Sequence, residues 1–146
     1  MRSPALTACV AIVSLITGAC TRPLLEPGAV IPVTVSLTCA DAGMQASISP
    51  YVVQVPEGDQ VEWKIAESST VSEIEIDKKQ NGSWPYDGAL PYRGGRENPP
   101  KAGRMKGGLV GRKFGYTISG TCTSAGGEAR RIVIDPDMII IRRVAN

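Results

Sequence analysis

From Val30 onward, apolar and polar residues alternate with a period of two. Val33, Val35, Leu37 and Cys39 share one parity, and Thr34, Ser36 and Thr38 share the other. In a pleated strand such a row lies on one face. The rhythm returns at Val61, Trp63 and Ile65 against Glu62 and Lys64. Val71 opens a further segment in which Ile74 and Ile76 oppose Glu73, Glu75 and Asp77. It returns again at Phe114, Tyr116, Ile118 and Cys122 against Thr117, Ser119 and Thr121. Ile48, Tyr51, Val53 and Val55 make an extended stretch broken at Pro50, and Pro56-Glu57-Gly58-Asp59 reads as a turn. Residues 131–134 and 138–142 predict two closing strands joined at Asp135-Pro136-Asp137. Half-buried strands write this apolar-in, polar-out pattern. The expected architecture is all-β: an antiparallel two-sheet Greek-key sandwich over residues 30–146.

The residues before this region follow a different rule. Arg2, an apolar run over 8–16 and then Thr17-Gly18-Ala19-Cys20 have the layout of an export signal. The run is shorter than the ~20 apolar residues that span a bilayer. Thr17-Gly18-Ala19-Cys20 resembles the lipobox of bacterial lipoproteins, with Thr17 where Leu is usual. The resemblance implies a signal peptide over 1–19, a lipid on Cys20 as the new N-terminus and a membrane as partner. Thr21 stands where an Asp often retains such proteins at the inner membrane, which implies the periplasmic face of the outer membrane in a two-membrane cell. Secretion after cleavage at Ala19, without lipid, is the alternative, as is an uncleaved anchor. Residues 20–29, with Pro23 and Pro27, read as a tether.

Four cysteines are present: Cys9, Cys20, Cys39 and Cys122. With Cys9 in the signal and Cys20 acylated, Cys39 and Cys122 remain as one pair in an oxidising compartment, where disulfides persist. Both fall on the apolar parity of their strands, as an inter-strand or inter-sheet bridge requires. Two cysteines without histidine make only half a zinc site.

The chain has 16 Lys and Arg against 14 Asp and Glu, a near balance that gives no reason to expect nucleic acid. It contains no histidine. That removes Ser-His-Asp and Cys-His nucleophile systems, imidazole acid–base work and most zinc and copper chemistry. No cofactor and no catalytic residue are expected.

Three stretches resemble the cupredoxin family: Gly58-Asp59-Gln60-Val61-Glu62-Trp63, Phe114-Gly115-Tyr116 leading to Cys122, and Ile132-Val133-Ile134-Asp135-Pro136 with Ile139-Ile140-Ile141. The resemblance implies the sandwich but not its chemistry, because a blue-copper site needs two histidines beside its cysteine. Met44, Met105 and Met138 read as filler rather than Cu(I) ligands. The rival sandwich is immunoglobulin-like. Cys39, Trp63 and Cys122 come in that family's order, but Trp63 follows Cys39 by 24 residues and Gly120 stands where a Tyr is expected.

Residues 78–113 form a long Gly- and Pro-rich stretch without strand rhythm. It opens on an Asn81-Gly82 turn and carries Trp84, Tyr86 and Tyr92. Then come seven cations (Arg93, Arg96, Lys101, Arg104, Lys106, Arg112 and Lys113) and one acid, Glu97. Loops of this length are usually functional or disordered. The functional reading is an anion-binding surface for lipid headgroups, an acidic glycan or an acidic envelope protein. The plainer reading is a solvated loop whose cations keep it soluble. The aromatics either stack on a ligand or fold back onto the sandwich edge, and the second is the default. Gly107 to Lys113 lacks the Gly-Lys-Ser/Thr ending of a phosphate loop. Glu73 and Glu75 could imitate a glycosidase pair, but a charged solvent face explains them. The expected function is a non-catalytic binding or interaction module of the cell envelope. The alternatives are a carboxylate-based envelope hydrolase and a degenerate cupredoxin electron carrier.

Overall fold

The structure, a computed structural model, describes residues 22–40, 43–124 and 126–144. Nine strands occur among them: β1 (Val30–Ala40), β2 (Gly43–Ser49), β3 (Val52–Pro56), β4 (Gln60–Ile65), β5 (Glu73–Lys78), β6 (Tyr92–Gly95), β7 (Lys113–Thr123), β8 (Ala129–Ile134) and β9 (Asp137–Ile141). No helix occurs among the described residues. One sheet has the order β2-β1-β4. The other has the order β3-β9-β7-β5-β6, with β8 also on β7. The molecule is a two-sheet β-sandwich. The signal segment, the lipobox and Cys20 lie outside the described residues.

The alternation places the core. Val33, Val35, Leu37, Val61, Trp63 and Ile65 from the smaller sheet face Ile74, Ile76, Phe114, Tyr116, Ile118, Met138 and Ile140 from the larger one, all buried. Burying one such aliphatic side chain stabilises the fold by roughly 1.5–3 kcal/mol. The register keeps inward residues together, with Val33 beside Trp63 and Val35 beside Ile65.

Two pairings depart from the antiparallel expectation: β1 runs parallel to β4, and β3 parallel to β9. Alternation specifies which face a residue occupies, not which way its neighbour runs. The chain passes from β3 in one sheet to β4 in the other through the turn at residues 56–59. There Asp59 N–H donates to the Pro56 carbonyl at 2.9 Å, and Gly58 takes φ 92°. This is the left-handed position that a type II turn reserves for glycine.

β7 connects the parts of the larger sheet. Its first residues pair with β9, its later ones with β8, and its other edge carries β5. Cys122 near its end is disulfide-bonded to Cys39 near the end of β1, with Cα atoms 6.0 Å apart, within the usual span of such bridges. The bond joins the two sheets at one end of the sandwich.

Two strands carry no readable alternation. β2 is an edge strand in which only Gly43 and Ile48 are even partly buried, so neither face has to be apolar. β6 is only Tyr-Arg-Gly-Gly. The expected tether is also revised. From Arg22 the chain lies against the domain: Leu25 N–H donates to Met105 O and Gly107 N–H to Pro23 O, each at 2.8 Å. Farther along, Gly28 N–H donates to Gly58 O at 2.8 Å, and buried Asp59 accepts Ala29 N–H at 2.7 Å while pairing with Arg143. Two prolines made this segment look like a free linker, but its backbone is paired.

Candidate functional site

The segments 79–91 and 103–112, on either side of β6 and the β4-edge cover, are built onto the end of the sandwich opposite the disulfide. Three short segments lie side by side without forming full strands. Leu24 pairs with Lys106, and Tyr86 with Met105. Asp87 N–H donates to Arg104 O at 2.9 Å and Lys106 N–H to Pro85 O at 2.8 Å. Residues 100–102 cover the free edge of β4, with Trp63 N–H on Pro100 O and Ala102 N–H on Val61 O. An otherwise open sheet edge is closed in this way.

Aromatic packing holds these segments down. Trp84 lies 5.8 Å from Tyr86, 6.1 Å from Tyr92 and 6.1 Å from Tyr116, and Trp63 touches Tyr92 and Tyr116. The Tyr92 hydroxyl donates to Asp87 O and accepts from Trp84 Nε1 at 3.2 Å and Gly103 N–H at 3.3 Å. Gly103 is required where it stands, because a Cβ there would collide with Asp87. Burial pushes the Tyr116 phenol up to about 12, against a lowering hydrogen bond from Trp63. Tyr86 is raised further by the same cause, with Tyr92 and Asp59 adding to it. Its hydroxyl has no hydrogen-bond partner among the described residues.

This assembly encloses a cleft of about 760 Å³. Its walls are Leu24, Leu90, Leu109, Phe114 and the edge of Trp84. Arg22, Lys78, Lys106 and Arg112 line it, and no carboxylate among the described residues does. Three of the four cations are positioned by a neutral group. Arg22 Nη1 donates to Gly108 O at 2.7 Å and Lys106 Nζ to Trp84 O at 3.2 Å. The Arg112 guanidinium stands 5.5 Å from the Phe114 ring centroid, a cation–π arrangement, and Lys78 ends β5. None of the four is in an ion pair within the described residues. Outside the cleft lining, Glu57 Oε1 accepts the Gly108 and Leu109 amides and fixes the backbone that presents buried Leu109.

The ten loop residues singled out in the sequence therefore separate. Trp84 and Tyr86 are buried, Tyr92 is half-buried, and none stands free as a stacking platform. Arg93 pairs with Glu75, Arg104 with Glu26 and Lys113 with Asp137. Arg96 donates to the Ala66 and Ser69 carbonyls and closes the turn after β4. Lys101 is exposed beside Glu62. Only Lys106 and Arg112 of the seven cations reach the cleft. Arg22 and Lys78 complete it, and sequence reasoning had passed over both. Their one local signal is position: Arg22 comes just after Cys20, and Lys78 stands at the end of a strand.

A second depression of about 520 Å³ lies on the outer face of the larger sheet. Glu75 there is held by Arg93 at 2.9 Å and Arg131 at 3.5 Å, one on each oxygen. Both oxygens of that carboxylate are engaged by guanidinium groups, an arrangement that does not resemble a proton-transfer pair. Copper does not fit the residues present. The chain has no histidine, and Cys122, which sits nearest a ligand-like place, is bonded to Cys39. Met105 and Met138 are core residues, and Met44 is exposed on β2. No three His, Cys, Asp or Glu side chains converge among the described residues.

Compared with family models, with curated proteins and with solved structures, the chain matches none.

Proposed function

We propose that this chain is an exported, lipid-anchored, non-catalytic binding module of the cell envelope, and that the cleft at residues 22, 78, 106 and 112 takes an anionic ligand. One observation carries the reading: four cations line an apolar-walled cleft that no carboxylate among the described residues lines. Cations placed near an anionic surface contribute about 1 kcal/mol each, reduced by salt. The apolar walls lower the local dielectric and strengthen the attraction. The lipobox resemblance and the disulfide suit an oxidising compartment. We read the sandwich as cupredoxin-like in topology. That reading is supported by the turn at Gly58-Asp59 entering the strand with Trp63, and by the long strand from Phe114 to Cys122.

Two measurements test the reading. The N-terminal peptide of protein isolated from envelopes should begin at an acylated Cys20, and an unmodified Cys20 there would sink the anchor. In a thermal melt at matched ionic strength, inorganic phosphate should raise the midpoint relative to chloride, because a ligand that binds only the folded state stabilises it. The Lys78→Gln, Lys106→Gln double variant should lose that rise. An equal rise in the variant, or none in either protein, refutes the anion site.

A further inference from the structure

We infer that the cleft end of the sandwich lies face-down on the bilayer that holds Cys20, with Arg22, Lys78, Lys106 and Arg112 against the phosphates of anionic phospholipids. This rests on the proposed anchor and the proposed anion site, and adds to them a ligand class and an orientation.

Little slack separates Cys20 from the cleft. Cys20 stands two residues before Arg22, a reach of about 7 Å for extended chain. Arg22 is itself part of the cleft and is bonded to Gly108, and the next residues are paired to the backbone of residues 105–107. A lipid on Cys20 would bring Arg22 to the headgroup layer, which is itself several ångströms thick. The cleft has to follow, because Arg22 is one of its walls.

The two surfaces are also chemically complementary. A phospholipid surface presents phosphates above hydrocarbon. This end of the protein presents cations around apolar side chains, and two of its large apolar residues, Leu24 and Val110, are 40% and 42% exposed. Exposed apolar groups beside cations suit an interface where one side is wet and the other is acyl chain. By contrast, the cations on the outer face of the larger sheet, Arg93 and Arg131, already share the Glu75 carboxylate.

Lysine-reactive footprinting tests the inference on the full lipidated chain taken into preformed vesicles. With anionic phosphatidylglycerol in the vesicles, Lys78 and Lys106 should each lose labelling roughly fivefold relative to phosphatidylcholine vesicles. Lys64 and Lys101, exposed along the smaller sheet, should label equally in both. High salt should restore the labelling of Lys78 and Lys106. Equal labelling of Lys78 and Lys106 in the two lipids overturns the face-down assignment. If inorganic phosphate still protects the two lysines in neutral detergent, the cleft is an anion site for a soluble ligand and only the orientation fails. If phosphate does not protect them either, the anion-site reading falls with it.

Discussion

The two ends of this sandwich are closed by different means. At one end Cys39 and Cys122 tie the sheets covalently, and the adjacent strands β7 and β8 are joined by a short turn at Gly126 and Gly127. At the other end the sheets are covered by chain rich in Gly and Pro, held by aromatic packing and single backbone bridges. β7 reaches from one end to the other, with Cys122 and Phe114 on the order of 25 Å apart along it. Unpaired cations gather at the end without the cross-link. A covalent bond needs little surrounding architecture, so its end is short. Packing by side chains needs many residues, and those residues also shape a cleft.

Four measurements press on this contrast. The largest effect should come from the disulfide. It closes a span of 83 residues, for which chain entropy assigns roughly 4–5 kcal/mol. That is much of the stability of a small domain. Reduction, or Cys39→Ala with Cys122→Ala, should lower the melting midpoint by on the order of 15 °C. An unchanged midpoint under reductant would show that the cross-link contributes nothing to that end.

Alkali should act on the packed end. Tyr116 titrates near 10 in the unfolded chain and is pushed up to about 12 by burial in the fold. A raised phenol binds its proton more tightly when folded. The stability it contributes is therefore complete below pH 10 and lost as the pH climbs to 12, with Tyr86 acting in the same direction. Denaturant titrations across that range should show a loss on the order of 2–3 kcal/mol from Tyr116 alone, with Tyr86 adding to it. A flat profile would mean that the two phenols are not buried as neutral groups.

Tyr92→Phe removes one hydroxyl and strands the Trp84 indole N–H and the Gly103 amide. The expected cost is about 1–2 kcal/mol, with a shift in Trp84 emission that a disulfide variant would not share. Wild-type emission would show that the hydroxyl does not order the cleft wall. The smallest effect should be that of Lys78→Gln with Lys106→Gln, which should change stability by less than about 0.5 kcal/mol while weakening anion binding. A large destabilisation would make the two lysines part of the packing and not of a ligand site.

The cross-linked end was legible in the sequence, and the packed end largely was not. Val33, Val35, Leu37 and Cys39 announce their face by parity, as do Phe114, Tyr116, Ile118 and Cys122, so the sandwich and the bridge follow from local pattern. β2 gave no such signal because both of its faces are largely exposed, and β6 is too short and glycine-rich to alternate. The parallel pairings of β1 with β4 and β3 with β9 were hidden because parity carries no direction. The cleft was hidden for another reason. A run of cations suggests one basic surface, yet Arg93 and Lys113 leave it for Glu75 and Asp137, while Arg22 enters from the leading segment and Lys78 from the end of β5. Charge density along a sequence says nothing about which charges the topology gathers.

The tie between Arg143 and Asp59 has a practical consequence for anyone labelling this protein. Asp59 also holds Ala29, so the trailing segment is pinned beside the leading one. A bulky reporter appended after that segment would crowd the turn at residues 56–59 and the leading segment beside it, at the end of the sandwich that carries the cleft. Grafted instead at Gly127, where φ is 80° and nothing crowds the backbone, the same cargo would project from the disulfide end and leave the cleft undisturbed.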